Sequence, residues 1–449
     1  MSETFPGAIV ARLMRLGDEV VVWAQRHPGA ELAEQEEALL GLMRAALPDV
    51  LEAMLPLCLR ELQLPAAGRP QACPQCGTTC GVQEWRERMV ATRCGRVQFE
   101  RPWYLCRGCR QGWAPADVAL GLAPQKRLSE GLAAWVIRLG AATDFQEAAG
   151  MLEELTGVHL APETVRQYTE AKGAALEAQQ QAAEATVLAT QEAAAAVERA
   201  PGQMVVETDG VMVRYQDGWH EVKLGLVGGH EEGRTQAFTY VAARQPAEAF
   251  GRRLLTEAAR RGALEIVGWT GPVTGHGLAQ LRPVTVLGDG AHWIWTLAAE
   301  HFGERVEIVD FYHASQHLWE VAHSVYGIGT VEAATWAKTQ RAALSTHGPG
   351  PVLEALARLT PHSAEEVALL RREREYFRAN QARMAYPDFR AQGLPIGSGA
   401  VESAAKHVVQ LRMKRPGARW SEQGAHRVLM VRTHLLSNRP LTPIRQKVA

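Results

Sequence analysis

Three acidic residues, far apart in a chain of 449 residues, each lie close to glycine at a predicted boundary of secondary structure. Asp209 and Asp289 both precede a glycine and follow apolar runs rich in β-branched residues, which predict buried strands. Glu402 follows a Gly-Ser-Gly turn at the predicted start of a helix. Strand ends and a helix start can meet after folding, so we expect the three carboxylates to converge. Such a cluster suits two Mg²⁺ or Mn²⁺ ions, which together can clamp the attacking and leaving oxygens of a phosphodiester.

Each of these acids also has a simpler interpretation. An Asp-Gly pair after a strand is most often a turn. A glutamate in the first turn of a helix often serves only as a capping residue or as a partner of the helix dipole. The joint order of the three acids on the predicted strands favours a shared site, and it predicts cleavage or transfer of nucleic-acid strands.

Residues 201–311 are predicted to form a mixed α/β sheet. Three consecutive strands are followed by alternating helices and strands, an order typical of an RNase H-like core. Asp209 lies on the first strand and Asp289 directly after the fourth, which is the neighbour of the first in that fold. The predicted strands are 204–213, 219–227, 236–242, 283–287 and 306–310, with helices at 246–261 and 291–301.

The remaining segments predict a multi-domain α+β/α protein. A large helical insertion at 312–394 separates the second acid from Glu402, and residues 395–449 supply the last core helix and a basic tail. Upstream of the sheet, the predicted regions are an N-terminal helical region (1–66), a zinc ribbon (67–120), a helix-turn-helix region (121–172) and a long linker helix (173–200).

The cysteines are concentrated in the predicted ribbon. Two Cys-x-x-Cys pairs flank a segment, Thr92–Leu105, that is predicted to form a hairpin, and this layout is typical of four thiolates holding one structural Zn²⁺. A pair of redox dithiols is the alternative, with Cys80 and Cys94 as spare thiols or competing ligands. The odd count of seven cysteines argues against a disulfide framework. The predicted zinc ligands are Cys73, Cys76, Cys106 and Cys109.

A helix-turn-helix pattern follows the ribbon. Apolar residues repeat at helical spacing up to Leu155, Gly157 supplies a turn, and Pro162 suits the first position of a second, short helix. In that arrangement a groove of duplex DNA would be faced by Thr164, Arg166 and Gln167. The alternative is an ordinary two-helix corner of an α-helical domain.

Charge is distributed unevenly along the chain. The net charge is −1, yet the segment from Ser403 to Ala449 carries ten basic residues and one acid, which points toward a polyanion or a solubilising surface. Phosphate contacts are predicted near the third acid at Lys406, Arg412, Lys414 and Arg415. No apolar run approaches the length of about 20 residues that a membrane span needs, so we expect a cytoplasmic protein with no membrane partner.

Four motifs of this chain resemble those of the DDE transposases of bacterial insertion sequences. The closest match is the Kra-type group, which is related to the mutator-like elements of eukaryotes. The resemblance extends from the ribbon to about Trp420. The motifs are Glu-Thr-Asp-Gly-Val, Gly-Asp-Gly-Ala-His-Trp-Ile-Trp, Val-Asp-Phe-Tyr-His-Ala and Pro-Ile-Gly-Ser-Gly-Ala-Val-Glu-Ser-Ala-Ala-Lys-His.

The resemblance implies that Asp209, Asp289 and Glu402 are the metal-binding acids of a transposase. It also implies an acid-x-x-His motif from Asp310 to His313, whose histidine could contact the scissile phosphate or be a packed residue at a helix start. The implied partners are double-stranded DNA, as terminal inverted repeats and target, and a second copy in a nucleoid-associated synaptic dimer. The alternatives are an inactive or domesticated DNA-binding protein derived from a transposase, and an RNase H-like nuclease such as a resolvase.

Overall fold

The structure is a computed structural model that describes residues 5–61, 70–122, 126–190, 200–266, 279–281 and 283–441. The Cα positions divide the chain into two compact units, Met1–Thr169 with Thr442–Ala449, and Glu170–Leu441. None of the described helices combines the length and the apolar character that crossing a membrane requires.

The first unit begins with two long helices that pack against each other. They are α1 (Phe5–Arg26) and α2 (Leu32–Glu61), joined by a short turn in which Gly29 has a positive φ of 85°. Large apolar side chains such as Leu13, Met14 and Met43 remain exposed on this helical pair.

Five strands follow. The short strands β1 (Gln71–Ala72) and β2 (Thr79–Cys80) pair with each other, and an antiparallel sheet is formed by β3 (Val82–Thr92), β4 (Gly95–Leu105) and β5 (Gly112–Trp113). The hairpin predicted within 92–105 was placed wrongly. Its turn lies at residues 93–94, because the Thr92 hydroxyl donates to the carbonyl of Gly95 and accepts the N–H of Cys94.

The first unit ends in helices around a small apolar core. They are α3 (Pro115–Ala119), α4 (Glu130–Ala142), α5 (Phe145–Thr156) and the start of α6 (Pro162–Thr190). Side chains cap α4 and α5, since Ser129 accepts the N–H of Leu132 and Asp144 accepts the N–H of Glu147. Gly157, with a φ of 66°, ends α5 in the left-handed conformation that glycine tolerates best.

The helix predicted as short after Pro162 is in fact long. It continues without a break through the predicted boundary at 172 and 173 to Thr190, since only Gly173 interrupts an Ala/Glu/Gln-rich stretch of good helix formers. Gly173 lies where an added Cβ would meet the backbone carbonyl oxygen of Arg427 at 2.2 Å, so packing explains this glycine. The predicted linker beyond Thr190 lies largely outside the described residues.

A five-stranded mixed sheet forms the centre of the second unit, and a separate antiparallel pair accompanies it. Numbered along the chain, the five strands of this sheet lie side by side in the order fifth, fourth, first, second, third. The first strand pairs antiparallel with the second, and the second with the third, whereas the fourth and fifth strands run parallel to the first. The strands are β6 (Gln203–Tyr215), β7 (Gly218–Glu231), β8 (Arg234–Ala243), the separate pair β9 (Leu264–Ile266) and β10 (Ala279–Leu281), then β11 (Val284–Gly288) and β12 (Arg305–Val309). The five predicted strands are therefore present, and the first three extend further than predicted.

Helices surround this sheet. Those before the third acid are α7 (Ala247–Arg260), α8 (His292–His301), α9 (Phe311–Tyr326), α10 (Val331–His347), α11 (Pro349–Arg358), α12 (Ala364–Ala379), a 3-10 turn (Gln381–Met384) and α13 (Tyr386–Ala391). The segment predicted as a helical insertion shares the core of the sheet, because Leu318, Leu344 and Phe377 belong to one buried apolar cluster with Val206 and Leu287.

The helix that carries Glu402 changes its hydrogen-bonding pattern halfway along. It consists of α14 (Gly399–Ala404), a π-helical segment (Ala405–Gln410) and α15 (Leu411–Met413), and α16 (Glu422–Leu436) follows. A π-helical turn leaves backbone carbonyls short of helical partners. The buried Arg432 side chain of α16 donates to the carbonyls of His407 and Val408, the latter at 2.7 Å, and so fixes this segment.

Candidate functional site

The three predicted acids line one pocket. Asp209, Asp289 and Glu402 surround a cavity of about 300 Å³ in the second unit, and Asp310 and His313 of the predicted acid-x-x-His motif line it as well. The fold therefore brings together acids that lie almost 200 positions apart in the chain, as the sequence analysis expected of them.

The sheet sets the relative position of the first two acids. Strand β11 runs parallel to β6 with Leu287 opposite Glu207, so continuing this register by two residues brings Asp289 level with Asp209. Backbone N–H groups fix the orientation of both carboxylates. Asp209 Oδ1 accepts from its neighbour Gly210 at 2.7 Å, and Asp289 Oδ1 accepts from Ala291 at 2.8 Å.

Two buried acids hold the turn and helix of Glu402, namely Asp310 of the predicted acid-x-x-His motif and Glu207, which was not predicted as a site residue. Glu207, on β6, accepts the backbone N–H of Val401 at 2.9 Å. Asp310 accepts the hydroxyl of Ser398 at 2.9 Å together with the Ser398 backbone N–H. Asp310 also caps α9 by accepting the N–H of His313. The helix start that carries Glu402 is thus hydrogen-bonded to β6 through Glu207 and to the residue after β12 through Asp310.

Burial and, after it, crowded negative charge raise the pKa values of two carboxyl groups in this region. Burial, together with the neighbouring carboxylates of Asp289 and Glu402, raises the pKa of Asp209 to about 6. Burial raises the pKa of Glu207 further, to about 8. Bound cations would relieve this repulsion, which is the electrostatic condition expected of an acidic metal site.

A further acid approaches from the neighbouring strand. An added Cβ at Gly210 would lie 2.2 Å from Oε1 of Glu221, so the glycine after Asp209 makes room for that carboxylate. Glu221 is paired with Lys223 Nζ at 2.7 Å. A turn was the simpler interpretation of Asp209-Gly210, whereas the pair lies within β6.

The three acids do not form a preassembled ligand group. Among the described residues, only two sets of three or more ligand atoms lie within 4.8 Å of one another, and neither contains the triad. The Glu402 side chain is 72% exposed and accepts Lys406 Nζ at 3.1 Å. The second of these two sets consists of His317, Glu320 and Glu373.

The first set is the predicted cysteine cluster. Two of its sulfur pairs are 3.5 Å apart, Cys73 with Cys109 and Cys76 with Cys106, and all four sulfurs lie within 4.8 Å of one another. Backbone N–H groups of Cys109 and Gly108 lower the pKa of Cys106 to about 6. Four thiolates at this spacing fit a tetrahedral metal ion such as zinc.

The two cysteine pairs have the same backbone geometry. Cys73 N–H bonds the carbonyl of Thr78 and Gly77 N–H bonds that of Cys73, and the second pair repeats the pattern with Gln111 and Arg110. The equivalent positions Gly77 and Arg110 both have positive φ angles, of 73° and 60°. Cys80 instead donates to the carbonyl of Thr78 and lies outside the four-sulfur group.

The residues predicted to face a DNA groove lie together at the start of α6. Arg166 is paired with Glu163 at 2.6 Å, and Gln167 donates to the same carboxylate at 2.9 Å. Hydrogen bonds from Arg166 and then Gln167 lower the pKa of Glu163 to about 2. A groove of the first unit is lined by Thr164 and Gln167 together with the basic residues Arg96 and Arg127.

The predicted phosphate contacts near the third acid divide into two kinds. Lys414 and Arg415 line a groove together with Arg214, Arg419 and Trp219, whose side chain is 56% exposed. Arg412 differs, because it is 3% exposed and its guanidinium lies 4.8 Å from the ring centre of Trp420. A buried, stacked guanidinium does not agree with the phosphate contact predicted for Arg412.

A family model described as an uncharacterised protein family (UPF0236) matches residues 79–439. The matched segment includes the acidic pocket, the second cysteine pair and all five strands of the mixed sheet. No curated protein matches the chain. Because the model covers most of the sequence, this protein belongs to the uncharacterised family UPF0236.

Proposed function

We propose that this protein is a DDE-type transposase that cleaves DNA at the ends of an insertion sequence and joins the freed 3′ end to target DNA. The observation that carries this proposal is the convergence of Asp209, Asp289 and Glu402 on one pocket. Asp209 lies on β6 and Asp289 lies level with it, directly after the adjacent parallel strand β11, while Glu402 lies near the start of a helix that is hydrogen-bonded to β6.

The sheet supports an RNase H-like core. Its spatial order, with three antiparallel strands followed by two strands parallel to the first, is the arrangement expected for such a core. The first acid lies on the central strand and the second lies directly after the neighbouring strand. The position of both acids relative to the sheet therefore supports the hypothesis of an RNase H-like core.

The chemistry of the pocket fits two Mg²⁺ or Mn²⁺ ions. Its ligand set is entirely carboxylate oxygen, which hard divalent cations prefer, and the pKa of Asp209 is raised by burial and, to a smaller degree, by the neighbouring carboxylates. When bound, the ions would activate the attacking oxygen and stabilise the leaving oxygen. Glu402 lines the pocket with an exposed side chain, so we expect it to turn from Lys406 toward bound ions.

Other residues of the chain have supporting roles in this proposal. His313 lines the pocket and would contact the phosphate or the attacking hydroxyl. The basic groove with Lys414, Arg415 and Arg419 would hold the DNA backbone. The four-cysteine ribbon, with one Zn²⁺, and the pair of α5 and α6 would bind the terminal inverted repeats, and a dimer would bring two ends together.

The decisive experiment uses the full-length protein and a supercoiled plasmid that carries both DNA flanks of its gene. With Mg²⁺ or Mn²⁺, we expect nicks with 3′-hydroxyl ends at the flank boundaries, followed by joining to a second plasmid. Asp209→Asn and Asp289→Asn should abolish cutting and keep DNA binding. Asp217→Asn is the matched control, because Asp217 lies in the turn after β6 and its side chain is 62% exposed.

Three outcomes separate the alternatives. Undiminished cutting by the Asp209→Asn protein would refute the assignment of the acids. Binding that is indifferent to Mg²⁺, without strand products from the unaltered protein, would favour a domesticated DNA-binding protein. Cutting of branched DNA without joining would favour a resolvase-like nuclease.

A further inference from the structure

Two histidines and a buried glutamate form a chain of hydrogen-bonding groups behind the acidic pocket. His313 and His317 lie one turn apart on α9, and their Nε2 atoms are 3.3 Å apart. His317 Nδ1 is 2.7 Å from Oε2 of Glu373, which comes from α12 and is fully buried. The pocket-lining imidazole is therefore linked through a second imidazole to a carboxylate in the core.

The protonation states along this chain are constrained. Burial alone would raise the pKa of Glu373, but the hydrogen bond from His317, together with the hydrogen bond and charge of Arg372, holds that pKa below its ordinary value. The carboxylate therefore accepts a proton from His317 Nδ1. The two Nε2 atoms lie 3.3 Å apart, so one of them must accept a hydrogen bond; we assign the acceptor to His317, and His313 then donates its own Nε2–H. The nitrogen of His313 that remains as an acceptor is Nδ1.

Helix α12 also holds the turn of the second acid. The Tyr376 ring stacks on His317 at a centroid distance of 4.0 Å, and its hydroxyl donates to the backbone carbonyl of Asp289 at 3.1 Å. The neighbouring Gly290 has a φ of 100°, and a Cβ there would lie 2.7 Å from the tyrosine ring. One face of α12 thus contacts both the histidine pair and Asp289.

A metal ion is a poorer explanation of this cluster. His317, Glu320 and Glu373 offer ligand atoms within 4.8 Å of one another. However, Arg372 already bridges both carboxylates, at 2.6 Å to Glu320 and 2.7 Å to Glu373. A guanidinium in that place supplies the positive charge that a cation would otherwise bring.

We propose that His317 and Glu373 are positioning residues that hold His313 with Nδ1 as a hydrogen-bond acceptor for the attacking water or 3′-hydroxyl. This role rests on the proposed strand-cleavage function. The carboxylate fixes the tautomer of His317, and His317 fixes that of His313. The arrangement is the one by which a buried acid commonly orients a histidine that contacts substrate.

Nitrogen-15 NMR of the full-length protein, with zinc retained but without added Mg²⁺ or Mn²⁺ and with labelled histidine rings, tests the arrangement without DNA. We expect a proton on Nδ1 of His317, with a strongly downfield resonance, and a proton on Nε2 of His313. His317→Gln and His313→Gln assign the signals. Glu373→Gln should shift or remove the downfield resonance, whereas Glu375→Gln, an exposed change on the same helix, should not. A bare Nδ1 on His317 in the unaltered protein would overturn the proposal, even where a variant fails to fold.

Cleavage assays then separate this inference from the proposed function. Glu373→Gln should lower kcat about tenfold to a hundredfold with little change in KM, because a misplaced catalytic group slows the chemical step. Glu375→Gln should match the unaltered protein. If Asp209→Asn abolishes cutting while Glu373→Gln cuts at the normal rate, the positioning role is wrong and the transposase assignment stands. If Asp209→Asn cuts normally, the transposase assignment fails, and the catalytic part of this inference fails with it.

Discussion

The carboxyl group of Glu207 accepts the backbone N–H of Val401 at 2.9 Å, across 194 residues of sequence. Glu207 lies two residues before Asp209, and Val401 directly precedes Glu402. A single buried hydrogen bond therefore links the strand of the first acid to the helix of the third. It explains why a glutamate occupies a buried position of this strand.

Replacing Glu207 with leucine should loosen this link. The N–H of Val401 would be left buried without its partner, which costs about 1–3 kcal/mol. Glu207→Gln keeps an acceptor oxygen and serves as the matched variant. Urea unfolding should show the loss of stability for leucine alone, and strand cleavage should fall more for leucine than for glutamine. Equal behaviour of the two variants in both assays would contradict the proposed link.

The cysteine cluster predicts a metal-dependent first unit. The purified protein should contain one zinc ion per chain, and Cys106→Ser should lose that ion and lower the melting temperature. Four-thiolate sites contribute directly to folding, so the effect should be large. Elemental analysis measures the zinc content. The exposed Cys58, outside the cluster, provides a control in Cys58→Ser, and equimolar zinc in the Cys106→Ser protein would exclude that cysteine as a ligand.

The sequence predicted the acidic pocket because each acid has a strong local signal. Apolar β-branched runs define the strands before Asp209 and Asp289, and Gly-Ser-Gly defines the helix start before Glu402. The parallel register that brings the aspartates level is a long-range property, and no short segment encodes it. The same reasoning found the four cysteines, since their spacing alone fits a metal ion.

The residues behind the pocket could not be predicted in the same way. Glu373 lies in a charge-rich stretch of α12 that resembles an exposed helix, and only tertiary packing buries it against His317. The phosphate contact predicted for Arg412 disagrees with the structure for the opposite reason. A basic residue in a basic tail suggests exposure, but its guanidinium stacks on Trp420 in the interior. Both cases depend on partners that are distant along the chain or on a different helix.

Stability of the second unit should depend on pH through Glu177. Burial alone would raise the pKa of this carboxyl, but hydrogen bonds from His426 and Arg253 lower it to about 2. Because the folded pKa lies below the unfolded value, the stabilisation is present above about pH 4.3 and is lost as pH falls toward 2. Glu177→Gln should therefore lower the free energy of unfolding by about 2–4 kcal/mol at pH 7.

The difference between Glu177→Gln and the unaltered protein should shrink as the pH falls. Denaturant unfolding at pH 7, 4 and 3 measures it, with Glu354→Gln as a control, because the Glu354 side chain is 71% exposed in its pair with Arg358. A constant difference between the two proteins across this range would mean that the ion pairs of Glu177 do not account for its effect.

Substitution of Lys414 should affect DNA binding alone, whereas substitution of Arg412 should affect the stability of the fold. Lys414 is exposed in the basic groove, so Lys414→Ala should weaken duplex binding and reduce the salt slope of log K by about 0.9 without changing the melting temperature. Arg412→Ala should lower the melting temperature, because it removes buried packing on Trp420. Fluorescence anisotropy across a salt series measures binding, with the exposed Lys338→Ala as a control. If Lys414→Ala and Lys338→Ala gave the same slope, the groove would not contact the DNA backbone.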